Sequence, residues 1–213
     1  MAYLDISVTV EKGIPVWTDS IGASYTRAID PDETGSYVTV SHFKTDVHTG
    51  THIDAPRHFV PGGKTVEEIP LEKLLGRCYV ANLCGKAEIT AKDLENADIP
   101  AGVEKLLLKT DNSKKWLRPL HTFDTDYCAL TKDAADWVVR RGIHLVGIDY
   151  LSIQLYHGSD NTHIKLLKNE VVILETINLL QIDQGFYNLM CLPPKIKGLE
   201  GMPVRAVLQT IES

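Results

Sequence analysis

The chain has 213 residues, 44% of them hydrophobic and 23% charged, which suits one globular domain over residues 1–213 with a sizeable core. A net charge of −6 argues against nucleic acid as a partner, which needs a basic face, and against an anionic membrane surface. No apolar run approaches the roughly 18 residues of a spanning helix, and the first residues, Met-Ala-Tyr-Leu-Asp, lack a basic region followed by an apolar one, so a cytoplasmic location is expected.

Tyr3–Val10 alternates and is β-branched, so it reads as a strand that Lys12-Gly-Ile-Pro15 ends. Residues 18–34 mix Gly, Ser, Asp and Pro and read as a loop, of a length that tends to be functional. Tyr37–Phe43 reads as a second strand, with His42 at an ordinary sheet position. Thr65–Leu75 is predicted as a short helix and Tyr79–Leu83 as a strand. Thr90 has the character of an N-cap for a short helix. Lys105–Thr110 reads as a buried strand. Thr131–Gly142 is the clearest helix, with Thr131 as N-cap, Asp133 in its first turn, basic residues at its end and Gly142 as its stop. Ile143–Ile148 is then a strand, Thr162–Lys168 a helix, and Val171–Ile177, Phe186–Leu192 and Val204–Thr210 are strands. Strands outnumber helices and some helices connect strands, which predicts an α/β fold with mixed sheets. Neither a dinucleotide-binding glycine fingerprint, a phosphate-binding loop nor a Gly-x-Ser-x-Gly elbow is present. Cys78, Cys84, Cys128 and Cys191 form no Cys-x-x-Cys pair and read as reduced thiols.

The most informative stretch is His48-Thr-Gly-Thr-His52-Ile-Asp54-Ala-Pro-Arg-His58. Four of the eight histidines, counting His42, fall within seventeen residues, where an even spread would put less than one. Imidazole and carboxylate are ligands that Zn²⁺ and Mn²⁺ accept. His52 and Asp54 are two apart, so on an extended segment they point to one side. Gly50 allows a turn that folds His48 back towards the same point. Three protein ligands would hold one metal and leave a position for water. His163 and Glu175 are further candidates. A carboxylate ending the apolar run Val171–Glu175 is costly to bury unless paired or metal-bound, although an exposed strand face or a salt bridge also accounts for it.

These residues resemble the signature of the cyclase family, which includes bacterial kynurenine formamidase and isatin hydrolase. The resemblance extends over nearly the whole chain: to Pro15-Val-Trp17, to Gly147-Ile-Asp-Tyr-Leu-Ser152, to His163 followed by Glu175, to Leu192-Pro-Pro-Lys-Ile-Lys-Gly198 and to Pro203-Val-Arg-Ala-Val-Leu208. It implies a swivelling β/β/α fold. It also implies that His48, His52 and Asp54 bind a first metal, and that Asp54 bridges to a second held by His163 and Glu175. His58 is implied as the catalytic acid/base, with zinc or manganese in a one- or two-metal site and assembly as a homodimer or homotetramer with exchanged N-terminal segments. In the formamidases Pro-Val-Trp continues with Pro-Gly-Asp, whereas Trp17 is followed here by Thr18-Asp19-Ser20. That departure falls where substrate contact is implied and leaves the metal chemistry untouched.

The expected activity is metal-assisted hydrolysis of a small amide or lactam. An arylformamidase of tryptophan catabolism, acting on N-formylkynurenine or a related aryl amide, is the first choice. A divalent metal would activate water and polarise the carbonyl, and His58, with an unperturbed pKa near about 6.5, would carry a proton to the leaving nitrogen. Arg57 is expected to point elsewhere. Trp17, with Phe43 or Phe59 nearby, is expected to wall an aromatic substrate pocket or else to anchor the N-terminal segment. The alternatives are a metal-dependent cyclase or lyase, a lactone hydrolase of the same family, and a catalytically silent metal-binding protein. Product analysis separates a lyase from a hydrolase, which incorporates solvent oxygen.

Overall fold

A computed structural model describes residues 1–117, 123–158 and 161–211. Its strands, in chain order, are β1 (Tyr3–Asp5), β2 (Ala23–Ile29), β3 (Val40–Thr45), β4 (His52–Asp54), β5 (Leu75–Asn82), β6 (Lys105–Lys109), β7 (Leu145–Ile148), β8 (Val172–Glu175), β9 (Gly185–Met190), β10 (Gly201–Pro203) and β11 (Val207–Thr210). The helices are α1 (Pro31–Thr34), α2 (Leu71–Leu74), α3 (Ala91–Glu95), α4 (Lys132–Arg140) and α5 (Asn161–Lys168), with 3₁₀ turns at Pro56–His58, Val66–Glu68 and Asp111–Leu117.

Nine strands form one mixed sheet in the order β1-β11-β9-β5-β6-β7-β8-β4-β10. Its centre, β5 to β8, is parallel, and the flanking pairings are antiparallel. Both faces are covered. Leu106, Leu108, Val146, Ile148 and Ile173 pack with α3, α4 and α5 in one core, while Leu107, Leu145, Val172 and Leu174 join Ile6, Ile53, Leu74 and Leu189 in a second. Alternation along each strand divides the two sets, as burial on both faces requires. Asp149, at the end of β7, is buried and accepts hydrogen bonds from the backbone and hydroxyls of Thr110 and Ser113, which ties the third 3₁₀ turn to the sheet.

This is the α/β arrangement with a mixed sheet that the sequence predicts, and the helices at α3, α4 and α5 match their predicted positions. Thr90 caps α3 through its hydroxyl, and Gly142 stops α4 with φ 71°. Three expectations are corrected and one strand was missed. The first strand is only Tyr3–Asp5, because an Asp5 carboxylate oxygen accepts from the Ser7 backbone in a local turn and the chain then crosses to other partners. Residues 18–34 are not merely a loop: Ala23–Ile29 pairs with β3 in a separate hairpin. Thr65–Leu75 is broken at Pro70, which holds Ile69 in an extended conformation between a 3₁₀ turn and α2. β10 was not predicted at all. All four cysteines are free thiols, in keeping with the sequence, and burial pushes Cys78, Cys128 and Cys191 up to about 12. Among the described residues no helix is long and apolar enough to cross a membrane.

Candidate metal centre

Strand register assembles the site. His52 and Asp54 share one face of β4, while Ile53 between them enters the second core. β4 pairs with β8 so that His52 lies opposite Glu175 and Asp54 opposite Ile173. α5 packs over that same face and brings in His163 from its first turn. His48 comes from the turn before β4. Its Gly50 adopts φ 70°, where a Cβ would lie 2.5 Å from Val10 Cγ2, so the left-handed conformation and the lack of space both require glycine. Pro56 starts the 3₁₀ turn that presents His58.

Five candidate ligands converge. His48 Nδ1 lies 3.0 Å from Asp54 Oδ1, and His52 Nε2 lies 3.4 Å from both Asp54 Oδ1 and Glu175 Oε2. His163 Nε2 is 3.3 Å from Glu175 Oε1 and 3.8 Å from Asp54 Oδ2. Glu175 Oε1 also accepts from the Ile153 backbone at 2.7 Å. His52 Nδ1 sits 2.8 Å from the Gly50 carbonyl, so Nδ1 carries the hydrogen and the Nε2 lone pair faces the carboxylates.

The charge balance calls for a cation. Asp54 is 0% and Glu175 4% exposed. Burial works against the Asp54 carboxylate, yet the neighbouring His48 and His52 hold it well below the usual range. Burial and Asp54 push Glu175 up, and His163 and His52 bring it below its ordinary value. Burial pulls His52 down, and the two carboxylates outweigh this and raise it to about 10. The two buried carboxylates thus mark a place between them that favours positive charge. Among the described residues His48 Nε2, His52 Nε2 and Asp54 Oδ2 are buried without a hydrogen bond, their nearest charged partners standing at 3.4–3.8 Å. Buried lone pairs without donors, on imidazole and carboxylate, fit a divalent metal. Among the described residues two groups have ligand atoms within 4.8 Å of one another: His48, Asp54 and His58, and His52, Asp54 and Glu175.

His58 is half-buried. Its ring lies over that of His48, with centroids 4.1 Å apart and 30° between planes, and is 6.1 Å from the His163 ring. Burial lowers its pKa. Its side chain makes no hydrogen bond among the described residues, which leaves it able both to exchange protons and to join His48 and Asp54 as a ligand.

The other sequence candidates divide. Phe59 stacks on His163 at 4.6 Å, whereas Phe43 and His42 stand exposed on β3. Arg57 points to solvent. Trp17 is 44% exposed and packs on Phe123 at 4.8 Å and Tyr156 at 5.8 Å. Sequence reasoning missed three residues. Gln154 Oε1 lies 3.4 Å from His163 Nδ1, Glu200 Oε1 lies 3.8 Å from His48 Nε2, and Gly201 backs onto the His48 ring. None carries a local signal: Glu200 and Gly201 reach the site through the pairing of β10 with β4, and Gln154 lies nine residues before His163 with no motif to mark it.

A family profile described as putative cyclase matches residues 4–154. Cyclase-like protein 3 of Oryza sativa subsp. japonica is 34% identical over 212 residues, covering 96% of this chain and 78% of that protein. A kynurenine formamidase of Bacillus cereus (strain ATCC 10987 / NRS 248) is 33% identical over 210 residues, 98% of each chain. Among solved structures, a predicted metal-dependent hydrolase from Bacillus stearothermophilus superposes with a TM-score of 0.82 at 33% identity, covering 97% of both chains. Isatin hydrolase A from Labrenzia aggregata shares the fold, with a TM-score of 0.79 at 24% identity over 97% of this chain and 93% of that one.

Proposed function

This chain belongs to the cyclase family, and on that premise we propose that it is a metal-dependent hydrolase of a small amide or lactam. N-formylkynurenine or a related aryl formamide is the first substrate to try. The observation that carries the reading is the convergence of three imidazoles and two buried carboxylates, in which His48 Nε2, His52 Nε2 and Asp54 Oδ2 have no hydrogen-bond partner among the described residues, beside the imidazole of His58. The B. cereus formamidase, similar over 98% of both chains, supports the choice of an aryl amide.

In this reading His48, His52 and Asp54 would hold one Zn²⁺ or Mn²⁺, and Asp54, His163 and Glu175 are the residues that would hold a second. The chemistry such a metal would supply is Lewis acidity, towards the substrate carbonyl and towards water. Asp54 and Glu175 balance the added positive charge. The Gly50 carbonyl keeps His52 in the tautomer that offers Nε2, and the Ile153 N–H fixes the Glu175 carboxylate. An unprotonated His58 ring nitrogen accepts a proton from the attacking water and returns it to the leaving nitrogen. Trp17, with Phe123 and Tyr156, forms the aromatic surface that we assign to the substrate ring. The rice cyclase-like protein, as similar in identity as the formamidase, favours one second reading, a cyclase, lyase or lactone hydrolase using the same residues.

The same proposal covers a cytoplasmic site of action and assembly with further copies of this chain. The β2–β3 hairpin supports the latter. A lone two-stranded hairpin is marginal in water, yet this one displays Tyr25 and Phe43 as a cross-strand pair, each 65% exposed.

Elemental analysis of protein purified without added metal tests the centre. At least one equivalent of zinc or manganese per chain is expected, lost on chelation together with activity. Less than roughly a tenth of an equivalent, with no gain on adding metal, overturns it. Formyl-anilides, isatin and aliphatic lactones assayed with each metal then test the substrate class. Turnover of lactones alone overturns the aryl-amide assignment and leaves the metal chemistry standing.

A further inference from the structure

We infer that Gly201 is a positioning residue for His48, and that its missing side chain is what lets the imidazole stand at the metal centre. Gly201 begins β10 and pairs with Asp54 of β4, so it approaches the motif from the far end of the chain. A Cβ built on it would lie 2.6 Å from His48 Cε1 and 3.1 Å from His48 Nδ1, with the Ile53 carbonyl oxygen at 3.0 Å. Carbon atoms settle at about 3.5–4.0 Å, so the ring would have to retreat by roughly 1 Å. The backbone of Gly201 is outside the left-handed region. Space, rather than conformational freedom, is therefore what glycine supplies here.

Three neighbours hold His48 in place, although its side chain is 26% exposed. His58 covers its ring at 4.1 Å, His52 meets it edge-on at 5.0 Å, and its Nδ1 is held 3.0 Å from Asp54 Oδ1. The strand cannot easily lift instead, because the Ala55 N–H donates to the Glu200 carbonyl at 2.8 Å and the Val204 N–H to the Thr51 carbonyl at 2.9 Å on either side of the contact. A methyl group at position 201 would displace His48 from Asp54 while leaving every candidate ligand chemically intact. The consequence for metal binding rests on the ligand role proposed for His48.

Four metal-free proteins test this: wild type, Gly201→Ala, His48→Ala and the double variant. Zn²⁺ affinity is read by competition with a chromogenic chelator, and stability by urea titration. Gly201→Ala should weaken Zn²⁺ binding by about 10–100-fold, the usual effect of disturbing a ligand's supporting contacts. Its stability cost should shrink in the His48→Ala background, because the ring it strikes is gone. Wild-type affinity in Gly201→Ala overturns the inference. So does an equal stability cost in both backgrounds, which would place the clash at the Ile53 carbonyl. A Gly201→Ala chain that folds only when residue 48 is also alanine supports the contact, and one that folds in neither background overturns it. Unchanged Zn²⁺ affinity in His48→Ala is a separate failure, that of the ligand role, and the stability comparison reads the ring contact regardless.

Discussion

Thr51→Val removes one hydroxyl from the middle of the histidine motif, at a residue only 3% exposed. That hydroxyl accepts from the Val8 N–H at 2.8 Å and donates to the Thr176 carbonyl. It therefore joins three segments: the N-terminal extension, the turn before β4, and the backbone just past Glu175. Thr176 itself has φ 59°, a conformation that a β-branched residue holds only when its surroundings impose it. Each hydrogen bond is worth about 1 kcal/mol net, and leaving the buried Thr176 carbonyl unsatisfied adds about 1–3 kcal/mol. The Val8 N–H is less buried and regains part of its loss from water. Thr51→Val should thus cost about 2–4 kcal/mol, or roughly 4–16 °C in Tm for a chain of this size. Urea titration of the metal-free proteins at one fixed concentration measures it, with Thr51→Ser as the comparison. Serine keeps the hydroxyl and loses one methyl, worth about 0.8 kcal/mol. A valine variant within about 0.5 kcal/mol of the serine variant would refute the role given to the hydroxyl bridge.

His58→Ala should keep its fold and its metal while the rate falls by about 10²–10⁴, whereas His52→Ala should lose the metal as well; equal metal loss in both variants would move His58 into the ligand set. Light scattering should find a dimer or larger assembly, and Tyr25→Ser combined with Phe43→Ser on the hairpin should shift it towards smaller species; a fully active wild-type monomer would contradict the proposed assembly.

The sequence alone carried the chemistry of the motif. His48, His52, Asp54 and His58 lie within eleven residues, and the two-residue period of an extended segment is enough to put His52 and Asp54 on one face. It also carried α4, whose cap, first-turn acid and glycine stop are local signals. Pattern alone made His163 and Glu175 no more than candidates, and the resemblance supplied their role, because nothing near them in the chain says that β8 pairs with β4 in the register that sets Glu175 opposite His52. Strand β2, and with it the pairing to the predicted β3, escaped notice for a related reason: six of the seven residues of Ala23–Ile29 are exposed, so no buried face imposes a regular alternation to read. Gly201 was the least legible. A glycine in Leu199-Glu-Gly-Met-Pro203 reads as loop punctuation, and its demand for empty space exists only once β10 has closed against β4. Local spacing decides which side chains can bind a metal. Whether they meet depends on strand register and packing distances, which are set by contacts between residues far apart in the chain.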